Sequence, residues 1–223
     1  MSKLILFRHA QASLGSQNYD QLSELGFKQS LWLGQHLKNH AALPDRIISG
    51  SLKRHQQTTL GILKGMNSSI EFEQNDAWNE FQFEGIVKAY LKQHPDKTPT
   101  DKKSNSFFRL LKVAMLDWSN DKLVHHQGES WIEFENRVVS AFLALTGNTE
   151  KQTVWLISSG GVISMLLSYI LETSKKSMIE LNLQTRNTSI SEVLYKPDSH
   201  CLMSYNQVPH LQSSDRQQAI TYA

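Results

Sequence analysis

Leu4-Ile5-Leu6-Phe7-Arg8-His9-Ala10-Gln11 opens the chain with four apolar residues that run straight into an arginine and a histidine. An apolar run without polar alternation suits a strand buried on both faces, as in a parallel sheet. Thr153–Ile157 has the same texture, and it passes through Ser158-Ser159-Gly160-Gly161 into helically spaced Val162, Ile163, Leu166, Leu167 and Ile170. Arg46-Ile47-Ile48-Ser49 reads as another strand. Between these lie two predicted helices. One runs from about Glu24 to Asn39 behind a Ser23 cap, with Leu25, Leu31, Leu33 and Leu37 on it. The other is capped by Ser51 and closes at Gly65. Ile70–Phe72 predicts a short strand, and Ser130 starts a helix through about Leu145. Ser189–Tyr195 alternates as a strand, paired with Leu202–Tyr205 across a turn at Lys196–His200. From about Gln212 the residues are polar, and the reading is a loose tail.

The middle, about Asp76–Gln127, is different. It is rich in aromatics and has helical spacing without clear strands. Phe107, Leu111, Met115 and Trp118 share one helix face, which reads as core packing. Asp96–Asn105 reads as a polar loop. Alternating strands and helices with a helical insertion predict an α/β sheet with helices on both faces. No repeat or linker is visible, so residues 1–223 read as one domain, with the insertion at about 80–127 as a cap.

Composition narrows the class. The 223 residues carry 23 Lys+Arg and 21 Asp+Glu, a net charge of +2, which argues against a nucleic-acid or anionic-membrane binder. The single cysteine excludes an internal disulfide and a multi-thiolate metal site, and Cys201 reads as inert. Leu4–Phe7 is too short for a signal-peptide core, and no run reaches the roughly 18 apolar residues of a membrane span, so the expectation is a cytoplasmic protein. On that expectation the Asn67-Ser68-Ser69 sequon is a chance match. His36 and His40 have a spacing that can hold zinc, but no glutamate adjoins His36 as in the metalloprotease motif. Neither a P-loop nor a dinucleotide glycine pattern is present, and Ile157 replaces the first glycine of a nucleophile elbow. No metal and no cofactor are expected.

In open α/β sheets ligands bind beyond the carboxyl ends of the strands. There the first strand delivers Arg8 and His9, the second Ser49, Ser51 and, a turn later, Arg54, and the later strand Ser158, Ser159 and two glycines opening a helix. Arginine forks match phosphate oxygens, and a helix N-terminus adds oriented N–H groups. The combination points to a bound phosphate.

Six segments resemble the histidine phosphatase superfamily, the phosphoglycerate-mutase-like proteins. Leu6–Ser13 resembles its Arg-His-Gly opening, and Tyr19–Gly26 its entry into the first helix. Ser49–Thr58 is similar to its Ser-x-Leu-x-Arg-x-x-Gln-Thr segment. Gly128-Glu129-Ser130 with Arg137 matches a further pattern, and Ile157–Ile163 aligns with the second histidine motif. Asn79-Glu80-Phe81 resembles the segment that supplies the acid. The likeness spans about Leu4 to Ser191 and implies a three-layer α/β/α sandwich with a mostly parallel sheet. It implies that His9 is the nucleophile and that Arg8 and Arg54 hold the phosphoryl group. Glu80 would be the proton donor, with Glu84 a weaker choice, and Ser13, Ser159 and Gly160 would be further phosphate contacts. The implied partner is a small phosphorylated metabolite, and the apolar insertion suggests a partly apolar one.

Two positions depart from the pattern. Ala10 replaces a glycine, and Ser159 stands where the family has its second catalytic histidine. Serine donates one hydrogen bond but cannot carry charge, and losing such a donor typically costs about 10²–10³ in rate. His55, His125, His126 and His210 are candidates to fill the gap. The expectation is a weak or specialised phosphomonoester hydrolase working through a phosphohistidine, with a degenerate phosphate-binding protein as the alternative. A mutase is less favoured, because Glu80-Phe81-Gln82-Phe83-Glu84 replaces the mutase segment Glu-Arg-His-Tyr-Gly.

Overall fold

A computed structural model describes residues 1–13, 20–99, 104–124, 127–147 and 149–222, with only the main chain at 104 and 105. Among the described residues six strands form one sheet in the order β3-β2-β4-β1-β5-β6. They are β1 (Ser2–Arg8), β2 (Arg46–Ser49), β3 (Glu73–Gln74), β4 (Thr153–Ser158), β5 (Ile190–Lys196) and β6 (Ser199–Gln207). The first four pair in parallel, and β5 and β6 add an antiparallel edge.

Both faces are buried, as the unbroken apolar runs require. Leu4, Leu6, Val154 and Leu156 enter one core, and Ile5, Phe7, Trp155 and Ile157 the other. Helices α1 (Glu24–His40) and α2 (Lys53–Met66) seal the second face with Leu33, Leu37, Ile62, Leu63 and Met66. The first face is covered by α3 (Phe83–Gln93), α4 (Ser104–Ser119), α5 (Trp131–Thr146), α6 (Gly160–Ile170) and α7 (Lys175–Gln184). The result is a three-layer α/β/α sandwich. Ser23 accepts from the Gly26 N–H as the cap of α1, and Ser130 and Glu133 form a capping box on α5.

Several expectations need correction. Ser51 does not cap α2. Its hydroxyl pairs with Asp76 and Asn79, while Asp20 accepts the Lys53 N–H at 2.9 Å and caps the helix from a distance. The short strand is Glu73–Gln74 rather than Ile70–Phe72, because the Ile70 and Phe72 side chains pack on the core instead of pairing. Pro95–Lys97 forms a 3₁₀ turn inside the supposed loop, and α4 begins at Ser104. Helix α7 was not foreseen, since its Met178 and Ile179 give only a narrow apolar stripe. The tail is anchored, with Leu211 and Ala219 buried and the Gln29 side chain donating to the Ala219 carbonyl at 2.7 Å. No helix among the described residues is long and apolar enough to cross a membrane.

Candidate active site

The parallel ends of β1 and β4 build the centre. Arg8 is paired in register with Ser158, and the His9 N–H donates to the Ser158 carbonyl at 2.8 Å. His9 is therefore the first residue past the strand, where a side chain can leave the sheet. Its Nδ1 lies 2.7 Å from the Ala10 carbonyl. A carbonyl only accepts, so Nδ1 carries the proton and Nε2 keeps its lone pair. The His9 carbonyl accepts from Asn187 Nδ2 at 3.1 Å and from the Thr188 N–H at 3.3 Å. Ala10 replaces the glycine without strain: its backbone has no positive φ, and its N–H donates to Thr58 Oγ1 at 3.0 Å.

Two guanidinium groups meet beside the imidazole. Arg8 Nη1 donates to the carbonyls of Thr185 and Tyr222. Arg54, in the first turn of α2, pairs with Asp20 at 2.8 Å. Both arginines are buried, and with His9 and Glu80 they line a cleft of about 600 Å³, open solvent at its mouth included. The far wall is Phe83, Phe107, Phe108, Leu111 and Leu183, with Asn182 as a polar contributor. Leu111, Met115 and Trp118 are buried in the core as expected and Phe107 packs against it, with Phe107 and Leu111 also lining the cleft.

Glu80 is held by a braced loop. The Trp78 carbonyl accepts from Ser158 Oγ at 2.7 Å, and Asn79 Oδ1 accepts from the Ser51 N–H at 2.9 Å. Arg137 donates to the Ala77 and Asn79 carbonyls at 2.8 and 3.0 Å and is itself paired with Glu129. The Glu129 and Arg137 of the sequence pattern are thus a clamp on the segment that precedes Glu80. Phe81 anchors the other side, its ring 4.9 Å from that of Trp118. Glu80 Oε2 accepts the Gly161 N–H at 2.9 Å.

Burial dominates the electrostatics. It lowers His9 well below its ordinary 6.5, helped by Arg54, Arg8 and His55, so the imidazole is neutral. It raises Glu80 above 4.5 against the opposing bonds and charges of Gly161, Arg54 and Arg8, which favours the protonated acid. A neutral imidazole, two cations and a carboxyl group pushed toward its protonated form on one cleft suit in-line transfer of a phosphoryl group.

The other expected residues are placed differently. Glu84 is exposed in a neighbouring cleft with Gln82 and Lys88, away from His9. Ser13 donates its N–H to the Gln21 carbonyl at 2.8 Å and does not line the cleft. Gly160 backs onto the Arg8 guanidinium, which would lie 3.4 Å from a side-chain carbon there. Ser159 lies buried behind the cleft floor with its Oγ 2.7 Å from His55 Nε2. His210 is bonded to Thr188 instead, while His125, His126 and Tyr19 of the first-helix motif lie outside the described residues. His36 and His40 stack on each other at 4.6 Å, and the described residues hold no group of three candidate metal ligands. Asn182, Thr185, Asn187 and Tyr222 were missed, since no spacing in the chain marks a residue that serves through a carbonyl or amide.

Comparison with known proteins agrees with this geometry. Residues 4–208 match the family model of the histidine phosphatase superfamily, branch 1. No curated protein matches the chain in sequence. Phosphoserine phosphatase from Entamoeba histolytica, solved with 3-phosphoglyceric acid, is 22% identical with a TM-score of 0.66, covering 95% of this chain and 100% of its own. Phosphoglycerate mutase from Bacillus anthracis is 18% identical with a TM-score of 0.66 over 94% of each chain. A mycobacterial glucosyl-3-phosphoglycerate phosphatase, solved with VO3, is 19% identical with a TM-score of 0.63, covering 92% of this chain and 99% of its own. At such identities the likeness establishes a shared phosphoglycerate-mutase-like fold.

Proposed function

The chain belongs to the histidine phosphatase superfamily, and from that membership we propose that it hydrolyses small phosphomonoesters through a phosphohistidine on His9. His9 Nε2 attacks phosphorus while Arg8 and Arg54 hold the non-bridging oxygens and neutralise charge. The P–O bond to the alcohol breaks as the N–P bond forms, and the Glu80 carboxyl gives its proton to the departing oxygen. Water then attacks the phosphohistidine, the Glu80 carboxylate takes its proton, and inorganic phosphate leaves with His9 restored. The arginines supply the charge that a metal supplies elsewhere, so neither a metal nor a cofactor has a part in these steps. The whole chain acts as one domain, with the helical segment at about 80–127 as its cap.

One observation carries the reading: a neutral His9, both guanidinium groups and the raised Glu80 carboxyl line the same cleft. The apolar far wall favours a partly apolar alcohol as the leaving group. A panel of phosphomonoesters run on the wild type and on His9→Ala tests it. Turnover that His9→Ala abolishes, fastest on apolar esters, is the expected result. A wild type that binds phosphate without turnover, or a His9→Ala variant that still turns over, overturns it.

A further inference from the structure

We infer that His55 and Ser159 form a buried pair that positions His9, an inference that rests on His9 being the nucleophile. Ser159 is the N-cap of α6, where a serine ordinarily accepts a helix N–H, yet its side chain makes no such bond. Glu80 occupies the Gly161 N–H instead, and Ser159 Oγ turns to His55 Nε2 at 2.7 Å. Both residues are fully buried. His55 comes from the first turn of α2, one residue after Arg54, so the pair ties α2 to the carboxyl end of β4 directly behind the cleft.

Among the described residues His55 Nδ1 has no hydrogen-bond partner, and it faces Gly50, where a side-chain carbon would come within 2.1 Å. Either ring tautomer leaves one buried donor unmatched, Nδ1–H in one and the Ser159 O–H in the other, and both keep the bond between Nε2 and Oγ. Burial and the adjacent Arg54 keep the ring neutral. The ring stands 5.5 Å from that of His9, centroid to centroid, with planes at 41°. His9 and Ser159 each lie one residue past the register pair Arg8 and Ser158, on neighbouring parallel strands about 4.8 Å apart. His9 Nδ1 is bonded to the Ala10 carbonyl, and the tilted His55 ring beside it supplies a second support. An apolar side chain would fill the same space without an orphaned nitrogen. A polar pair kept there at that cost marks a demand of the site rather than of the core.

The test is a double-mutant cycle of His55→Phe, Ser159→Ala and their combination, with His55→Gln as the conservative variant that keeps a donor for Ser159. The readouts are kcat and KM for p-nitrophenyl phosphate, the single-turnover rate of phosphohistidine formation, and the ¹⁵N signature of the imidazole tautomer. Each single change is expected to lower kcat about tenfold with KM within about twofold, and the double change to cost no more than either. His55→Gln should recover most of the loss, and Ser159→Ala should shift the His55 ¹⁵N signals, because Nε2 then loses its partner. Losses that multiply, or a His55→Phe variant with wild-type kcat, overturn the pair. If His55→Phe does not fold, Ser159→Ala with the ¹⁵N measurement decides: wild-type kcat, or unshifted His55 signals, overturns it. A wild type without turnover overturns the hydrolase reading itself, so the two failures are told apart.

Discussion

Glu80 caps the helix that Ser159 leaves uncapped: its Oε2 accepts the Gly161 N–H at 2.9 Å. That bond aims the carboxyl from the braced loop across to the end of β4. A side-chain carbon at residue 161 would come within 2.1 Å of Glu80 Oε1 and 2.5 Å of Phe81 Cε1. Gly161→Ala must therefore displace the acid. It is expected to lower kcat by about 10²-fold on alkyl phosphates, the lower range of general-acid contributions. The loss should be smaller on p-nitrophenyl phosphate, whose leaving group needs less protonation. Equal losses on both substrates would separate Glu80 from leaving-group protonation.

The acid and the nucleophile set the pH dependence. His9 must be neutral, and burial lowers it well below 6.5, so the acidic limb falls far under neutrality. Glu80 must be protonated for the first step, and burial raises it above 4.5, so the alkaline limb rises above the ordinary carboxylate range. The profile of kcat/KM is expected to be bell-shaped with its maximum on the acidic side of neutrality. A profile still rising between pH 7 and pH 9 would contradict the assignment of Glu80.

His210 makes stability pH-dependent behind the site. It is buried, its Nε2 is 2.9 Å from Thr188 Oγ1, and Thr188 in turn donates its N–H to the His9 carbonyl. Burial first, then His36 and Arg216, lowers it to about 3. The unfolded chain takes up this proton at the ordinary 6.5, while the folded one stays neutral until about 3. Stability from this group is complete above 6.5 and is lost as pH falls toward 3, with a slope approaching about 1.4 kcal/mol per pH unit. Urea melts from pH 4 to pH 7 should show that slope partly flattened in His210→Gln, with His9 and His55 supplying the remainder in the same direction. An unchanged slope would remove His210 from the account.

The sheet was legible because its central strands are buried on both faces, and a continuous apolar run leaves little else for Leu4–Phe7 and Thr153–Ile157 to be. The catalytic-type residues were legible because they follow those strands directly. Caps were less so. Ser51 has the right type in the right place, but a carboxylate 31 positions earlier in the chain, Asp20, takes the helix N–H groups first. His55 was one of four candidates for the gap at Ser159, and the sequence could not single it out, since α2 and β4 are adjacent only in the folded sheet. The tail was misread for a similar reason. Its polar residues bond to buried partners such as Gln29 and Asn187, which composition does not reveal.

Strand β1 is made before both of its sheet neighbours, β4 and β5, the nearer of which in the chain begins at Thr153. At synthesis rates of about 5–20 residues per second, its apolar residues wait roughly 7–30 seconds for their neighbours. During that interval Leu4–Phe7 is an unpaired strand of high β-propensity. The strand that leads into His9 thus spends that interval as an apolar segment with no sheet neighbour on either side.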